Sequence, residues 1–224
     1  HNFYLFFVEA GAVLVLNSLT VSGGQPLWDV EGGPPSRPEI IRLVKASYPD
    51  YPDNPKCLNR QVQCDEIPQP RPLIVLMYGS RLETADCDFR YGRQGVIEGY
   101  GELNRHSSPL TVLLNRSRFS DNWNMRKGPR GAAAAGAITI MTNVGWWQNP
   151  EKNNPVVKIQ GSTFERNYGG SAGGALYVRG ELTVHDSLFE GNVVYPWHGC
   201  RSGCHAFRVG GAAIHTERDY ALEY

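Results

Sequence analysis

By type and spacing, Glu165 and Glu190 are the residues of this chain best suited to acid–base chemistry. Each directly follows a phenylalanine in a recurring phrase, Phe164-Glu-Arg-Asn167 and Phe189-Glu-Gly-Asn192, and Ser120 holds the same place in Phe119-Ser-Asp-Asn122. If these phrases lie on adjacent coils of a stacked β structure, the two carboxylates stand about 5 Å apart. That separation suits a retaining glycosidase pair or a cation site. The repeat accounts for their position without any chemistry, however. Arg166 supplies a local counter-charge, and no Asp-Asp or Arg-x-x-Arg cluster accompanies them.

Other reactive residue types are scattered. The cysteines are Cys57, Cys64, Cys87, Cys200 and Cys204, all read as lying in loop-like segments. Cys57 with Cys64 and Cys200 with Cys204 are the local disulfide pairs expected of a secreted chain, which leaves Cys87 unassigned. A zinc site built from His198, Cys200, Cys204 and His205 is the rival reading. The Cys200–Cys204 gap is loose for a zinc knuckle, and no second pair stands at standard spacing. Trp146 and Trp147, adjacent in a polar stretch, suit glycan stacking or a protein contact, and Trp197 repeats the suggestion more weakly. Asn115-Arg-Ser117 is a glycosylation sequon, which in a eukaryotic protein would mark Asn115 as exposed. His185 and His215 fall at strand or turn positions, where a lone histidine is commonly structural. No motif implies a cofactor. The glycine run Gly169–Gly174 lacks the Lys-Ser/Thr of a phosphate cradle.

The elements that would position these residues are repeats. Each F-x-x-N phrase follows a strand-like run: Leu110–Leu114, Val156–Ile159 and Leu182–Val184. Each precedes a small-residue step: Ala135-Gly-Ala-Ile138, Gly173-Gly-Ala-Leu176 and Gly210-Gly-Ala-Ala213. The phenylalanines are 45 and then 25 residues apart. The shorter spacing fits one coil of a β-solenoid, and the longer fits a coil with a loop inserted near Asn143–Asn154. Val112 and Leu114, Val157 and Ile159, and Leu182 and Val184 should then point inward as aliphatic ladders. Phe119, Phe164 and Phe189 fill the interior, and Ser117, Ser162 and Ser187 are small residues at a corner. Asn122, Asn167 and Asn192 suit left-handed turn geometry and amide ladders. Gly173 with Gly174, and Gly210 with Gly211, permit positive φ and close backbone approach. A fainter copy spans residues 1–24, with Val13 and Val15 inward, Thr20 in the phenylalanine place and Gly23 in the asparagine place.

F-x-x-N with G-G-A-[ILV] resembles the repeat signature of the polymorphic outer membrane proteins of chlamydiae. The same repeats occur in pectin lyase-like right-handed β-helix proteins of algae and other protists. The resemblance covers residues 109–216, and 11–24 faintly. It implies an all-β, right-handed parallel β-helix on a secreted or cell-surface protein with adhesive or structural roles. The chlamydial proteins also carry a C-terminal β-barrel translocator, and outer-membrane anchoring is not carried over from the resemblance.

Residues 25–108 break the pattern, with ten of the fifteen prolines between Pro26 and Pro72. They read as one or two divergent coils carrying a large lateral insertion, or as a small separate unit. Pro38–Ala46 predicts a short helix capped by Ser36. Leu73–Tyr78 and Gly95–Gly99 predict strands. The whole chain reads as a single β-helix domain, a fragment of a longer solenoid. Its 22 basic and 22 acidic residues leave no basic excess for nucleic acid, and no apolar run approaches the about 20 residues that span a bilayer. The expected function is non-enzymatic: a structural or adhesive, extracellular or cell-surface segment contacting proteins or glycans. A carbohydrate-active lyase or glycosidase and a subunit of a larger assembly are the alternatives.

Overall fold

The structure, a computed structural model, describes residues 4–23, 72–102, 108–124, 135–143, 154–170, 173–194 and 213–217. Among these there is no helix, and every strand pairing is parallel. The strands form rungs that stack into a β-solenoid. Rung one is β1 (Phe6–Val8), β2 (Val13–Asn17) and β3 (Thr20–Ser22). Rung two is β4 (Ile74–Leu76), β5 (Arg81–Ala85) and β6 (Asp88–Arg90). Rung three is β7 (Ile97–Glu102), β8 (Thr111–Asn115), β9 (Arg118–Ser120) and β10 (Trp123–Asn124). Rung four is β11 (Ile138–Asn143), β12 (Val156–Gln160), β13 (Thr163–Glu165) and β14 (Tyr168–Gly169). Rung five is β15 (Leu176–Arg179), β16 (Glu181–His185), β17 (Leu188–Glu190) and β18 (Val193–Val194). A sixth rung begins with β19 (Ile214–Glu217). The first strands of the rungs make one six-stranded sheet, here called the first sheet. The second and third strands make two five-stranded sheets, the second and third sheets, and β10, β14 and β18 make a short fourth.

Strand alternation explains the interior. Val112 and Val157 are fully buried, and Leu114 and Ile159 nearly so. The phenylalanines stack face to face, with centroids 4.9 Å apart for Phe89–Phe119, 4.8 Å for Phe119–Phe164 and 4.7 Å for Phe164–Phe189. Phe89 belongs to this column although its phrase, Phe89-Arg-Tyr-Gly92, ends in glycine. A Cβ on Gly92 would lie 2.6 Å from the Gly95 carbonyl oxygen, so asparagine does not fit there.

Register corrects several expectations. In rung one, Leu14 pairs with Leu82 and Leu16 with Thr84, so Leu14 and Leu16 face inward. Val13 and Val15 point out, at 61% and 52% exposure. Val21, not Thr20, pairs with Phe89, which moves the asparagine place one residue beyond Gly23. Ile214 pairs with Leu176, so the third small-residue step aligns one residue later than the phrase beginning at Gly210. Cys87 lies, as expected, outside the strands, at the corner between β5 and β6. It is buried and free, and it sits two before Phe89 in the place of the ladder serines.

Residues Leu73–Tyr78 and Gly95–Gly99 contribute β4 and β7 to the first sheet, in register with Ile138 through Ile97. The Pro38–Ala46 helix, Trp146, Trp147, Trp197, His198, His205, Cys57, Cys64, Cys200, Cys204, Gly210 and Gly211 lie outside the described residues. Gly173 has φ +67°, as the small-residue step requires. Gly136 is needed for room: a Cβ there would stand 2.3 Å from the Gly174 carbonyl oxygen and 2.4 Å from the Tyr168 nitrogen. Gly136→Ala should therefore cost about 3 kcal/mol or more, because backbone must move to admit the methyl. An unchanged urea midpoint would contradict this packing.

Candidate functional site

Polar side chains at the corners are committed to rung-to-rung ladders. Each ladder serine accepts from the preceding rung and donates within its own. Ser117 N–H donates to Ser162 Oγ at 3.1 Å, and Ser162 N–H donates to Ser187 Oγ at 3.1 Å. Ser117 Oγ–H donates to the Asn115 carbonyl and Ser162 Oγ–H to the Gln160 carbonyl, both at 3.0 Å. The serine is thus more than a small corner residue: it satisfies two backbone groups that the turn takes out of the sheet. Cys87 keeps half of this role. Its thiol donates to the Ala85 and Leu16 carbonyls at 3.3 Å, and its N–H donates to Ser117 Oγ at 3.4 Å.

The asparagines form a second ladder. Asn122 N–H and Nδ2–H both donate to Asn167 Oδ1, at 3.2 and 2.9 Å. Asn167 N–H and Nδ2–H donate likewise to Asn192 Oδ1, at 3.0 and 2.9 Å. Each Nδ2 also donates to the phenylalanine carbonyl one rung back, as from Asn167 to Phe119 at 2.9 Å. The asparagines are not the left-handed residues. Positive φ falls one residue earlier, at Tyr91, Asp121, Arg166 and Gly191, and again before each ladder serine or Cys87, at Asp86, Arg116, Gly161 and Asp186.

At each of these left-handed corners one Asp–Arg pair joins adjacent rungs. Arg116 grips Asp86 through two hydrogen bonds of 2.8 Å. Arg166 grips Asp121 through bonds of 2.7 and 2.9 Å. The hydrogen bond to Asp121 raises the Arg166 guanidinium above its ordinary range. The hydrogen bond from Arg116, helped by its charge and opposed by desolvation, lowers the Asp86 carboxyl. A lowered folded pKa stabilises above the unfolded value, and that contribution is lost as pH falls through the folded one. Asp86→Asn should accordingly lower the urea midpoint at pH 7 slightly and leave it closer to the parent below about pH 3. The pair is solvent-exposed, so the effect is small and shrinks with salt. A difference that grows on acidification would contradict this sign.

The expected glutamate pair meets different partners. Glu165 and Glu190 are register neighbours on adjacent rungs. Glu165 Oε2 turns instead to Arg118 at 2.8 Å and Arg166 at 3.4 Å. That oxygen is shared between a guanidinium of the preceding rung and one of its own rung. Glu190 is exposed and has no ion pair among the described residues. Among the described residues no three His, Cys, Asp or Glu side chains are grouped to hold a metal ion, and no helix is long and apolar enough to cross a membrane.

The three long outer faces are therefore unequal. On the third sheet the outer face carries the Arg118–Glu165 bridge and an Asp88–Arg90 contact of 3.9 Å. On the first sheet the outward residues of rungs two to five, Val75, Glu98, Thr139 and Tyr177, are buried. The outer face of the second sheet is open, and a shallow groove of about 520 Å³ runs across its rungs. One column of this groove reads Asn17, Ala85, Asn115, Gln160 and His185, one residue per rung. Beside it Leu113 sits between Glu83 and Lys158, with Val15 and Thr183 towards the ends. The sequon residue Asn115 is half-buried at mid-groove, and its partner Ser117 is buried in the serine ladder. Sequence reading missed this groove because the column appears only once Val21 and Phe89 are placed in register with the later phenylalanines.

Compared with protein-family models, curated proteins and solved structures, the chain matches none of them.

Proposed function

We propose that this chain is a non-catalytic, structural or adhesive segment of a secreted or cell-surface right-handed β-helix protein. It makes protein or glycan contacts through the outer face of its second sheet. The observation that carries this reading is the inequality of the faces. Elsewhere the Arg116–Asp86, Arg118–Glu165 and Arg166–Asp121 pairs tie charges together between rungs, whereas the second sheet offers a long strip of amide, hydroxyl and aliphatic groups, with Glu83 and Lys158 among them, to solvent. Asn115 and Gln160, amides on adjacent rungs about 4.8 Å apart, with Asn17 further along the same column, suit an extended, hydroxyl- or peptide-rich partner better than a compact one. The F-x-x-N and G-G-A-[ILV] resemblance adds weight to the surface location.

Binding to arrayed glycans and to immobilised extracellular-matrix proteins tests this. Leu113→Asp combined with Gln160→Ala, both outward on the second sheet, should cut any binding at least about tenfold, roughly 1.4 kcal/mol, without lowering the melting temperature. Binding untouched by this double variant would move the contact away from the second sheet.

A further inference from the structure

The middle outward column of the second sheet is complementary to itself when its order is reversed. From rung one to rung five it reads Val15, Glu83, Leu113, Lys158 and Thr183. Leu113 stands at the centre, with an acid one rung before it and a base one rung after. Lys158 is exposed and has no carboxylate partner among the described residues. Glu83 is held through one oxygen by Arg81 of its own strand at 2.6 Å, and its other oxygen has no partner among the described residues.

Reversing the rungs about rung three therefore sets Glu83 against Lys158 and Leu113 against Leu113. The flanking columns obey the same operation. In one, Ala85 falls opposite Gln160, a small residue against a long one, and Asn17 falls opposite His185, an amide against an imidazole. In the other, Arg81 falls opposite Val156 and beside Glu181 of the rung beyond it.

We propose that this face binds a second copy of the chain, sheet on sheet, about a two-fold axis lying in the interface along the strands of rung three. The contact is isologous, and it joins the two solenoids with their long axes antiparallel. All of rung three lies on the axis, so Thr111, Leu113 and Asn115 each meet themselves. The other two-fold, along the solenoid axis, would set Glu83 on Glu83 and Lys158 on Lys158, and like charges across an interface disfavour it. Further rungs at either end would lengthen this lateral face rather than cover it. Five rungs of five residues give a footprint of about 400 Å² on each copy, which belongs to the small, transient class of contacts. The inference rests on the reading of the second sheet as the contact face and names its partner.

The test is sedimentation velocity of the full chain, without a glycan on Asn115, at concentrations up to about 1 mM. A reversible dimer that weakens at high salt is expected. Glu83→Lys and Lys158→Glu should each weaken self-association at least about tenfold, because each sets like charges together at two places across the axis. Mixed with one another, the two variants should associate as the parent does, since both contacts are again of opposite sign. That recovery is also the folding control, because misfolded variants would not restore a dimer. A parent that stays monomeric at about 1 mM, or a mixture no tighter than its separate components, would overturn the second copy as partner. If Leu113→Asp with Gln160→Ala still abolishes glycan or matrix binding in that case, the contact face stands and only its partner is wrong.

Discussion

Asn167→Ala is expected to destabilise the solenoid by about 3–5 kcal/mol, the largest effect of any single polar substitution in the described core. Asn167 is fully buried and works in four hydrogen bonds at once. Its Oδ1 accepts from Asn122 N–H and Nδ2–H, and its Nδ2 donates to the Phe119 carbonyl and to Asn192 Oδ1. Alanine leaves the Asn122 N–H and the Phe119 carbonyl buried and short of a partner, at about 1–3 kcal/mol each. Asn167→Asp separates the two halves of the role. It keeps the acceptor but sets a carboxylate oxygen against the Phe119 carbonyl and Asn192 Oδ1. Its deficit should shrink as pH falls, because protonation restores a donor. Urea unfolding from pH 7 to pH 4 reads both effects. A cost below about 1 kcal/mol for Asn167→Ala would show that the turn holds without its amide.

Phe164→Ala should cost about 3–5 kcal/mol, the range for truncating a buried aromatic. Its ring is sandwiched between Phe119 and Phe189 at 4.8 and 4.7 Å, nearly parallel to both. Removing it opens a gap that the neighbouring rungs cannot close without breaking strand register. Phe189→Ala is expected to cost distinctly less, since that ring is partly exposed and stacked on one side only among the described residues. In a structure where each coil touches only its neighbours, this gradient follows from position along the axis. Equal costs at Phe164 and Phe189 would mean that rung five is capped as fully as rung four.

The repeat was legible because its residues recur at the three positions where a coil has least freedom. Phe, Ser and Asn at fixed offsets told which strands stack and which side chains face in. What misled was substitution within the columns. Val21 stands for phenylalanine, Cys87 for serine and Gly92 for asparagine. Rung one was misread by one residue for that reason, and a one-residue slip in a strand turns every side chain to the other face. The left-handed turns were assigned to asparagine, the residue type that best tolerates them. The structure places Tyr91, Asp121, Arg166 and Gly191 there instead, with Asp121 and Arg166 paired across rungs. Glu165 carries the same lesson. Its neighbour in register was foreseen, and aligning Phe119 with Phe164 already set Arg118 opposite Thr163, but the diagonal reach of Arg118 to Glu165 shows only in the side-chain geometry.

The most direct test of a contact surface, as opposed to a catalytic one, is a reducing-end assay on every glycan the chain binds. It would be run on the parent and on Glu165→Gln with Glu190→Gln. Bound glycans should be recovered uncut, and the double variant should bind as the parent does. New reducing ends that appear with the parent and vanish with the double variant would contradict the account and make the two glutamates a catalytic pair.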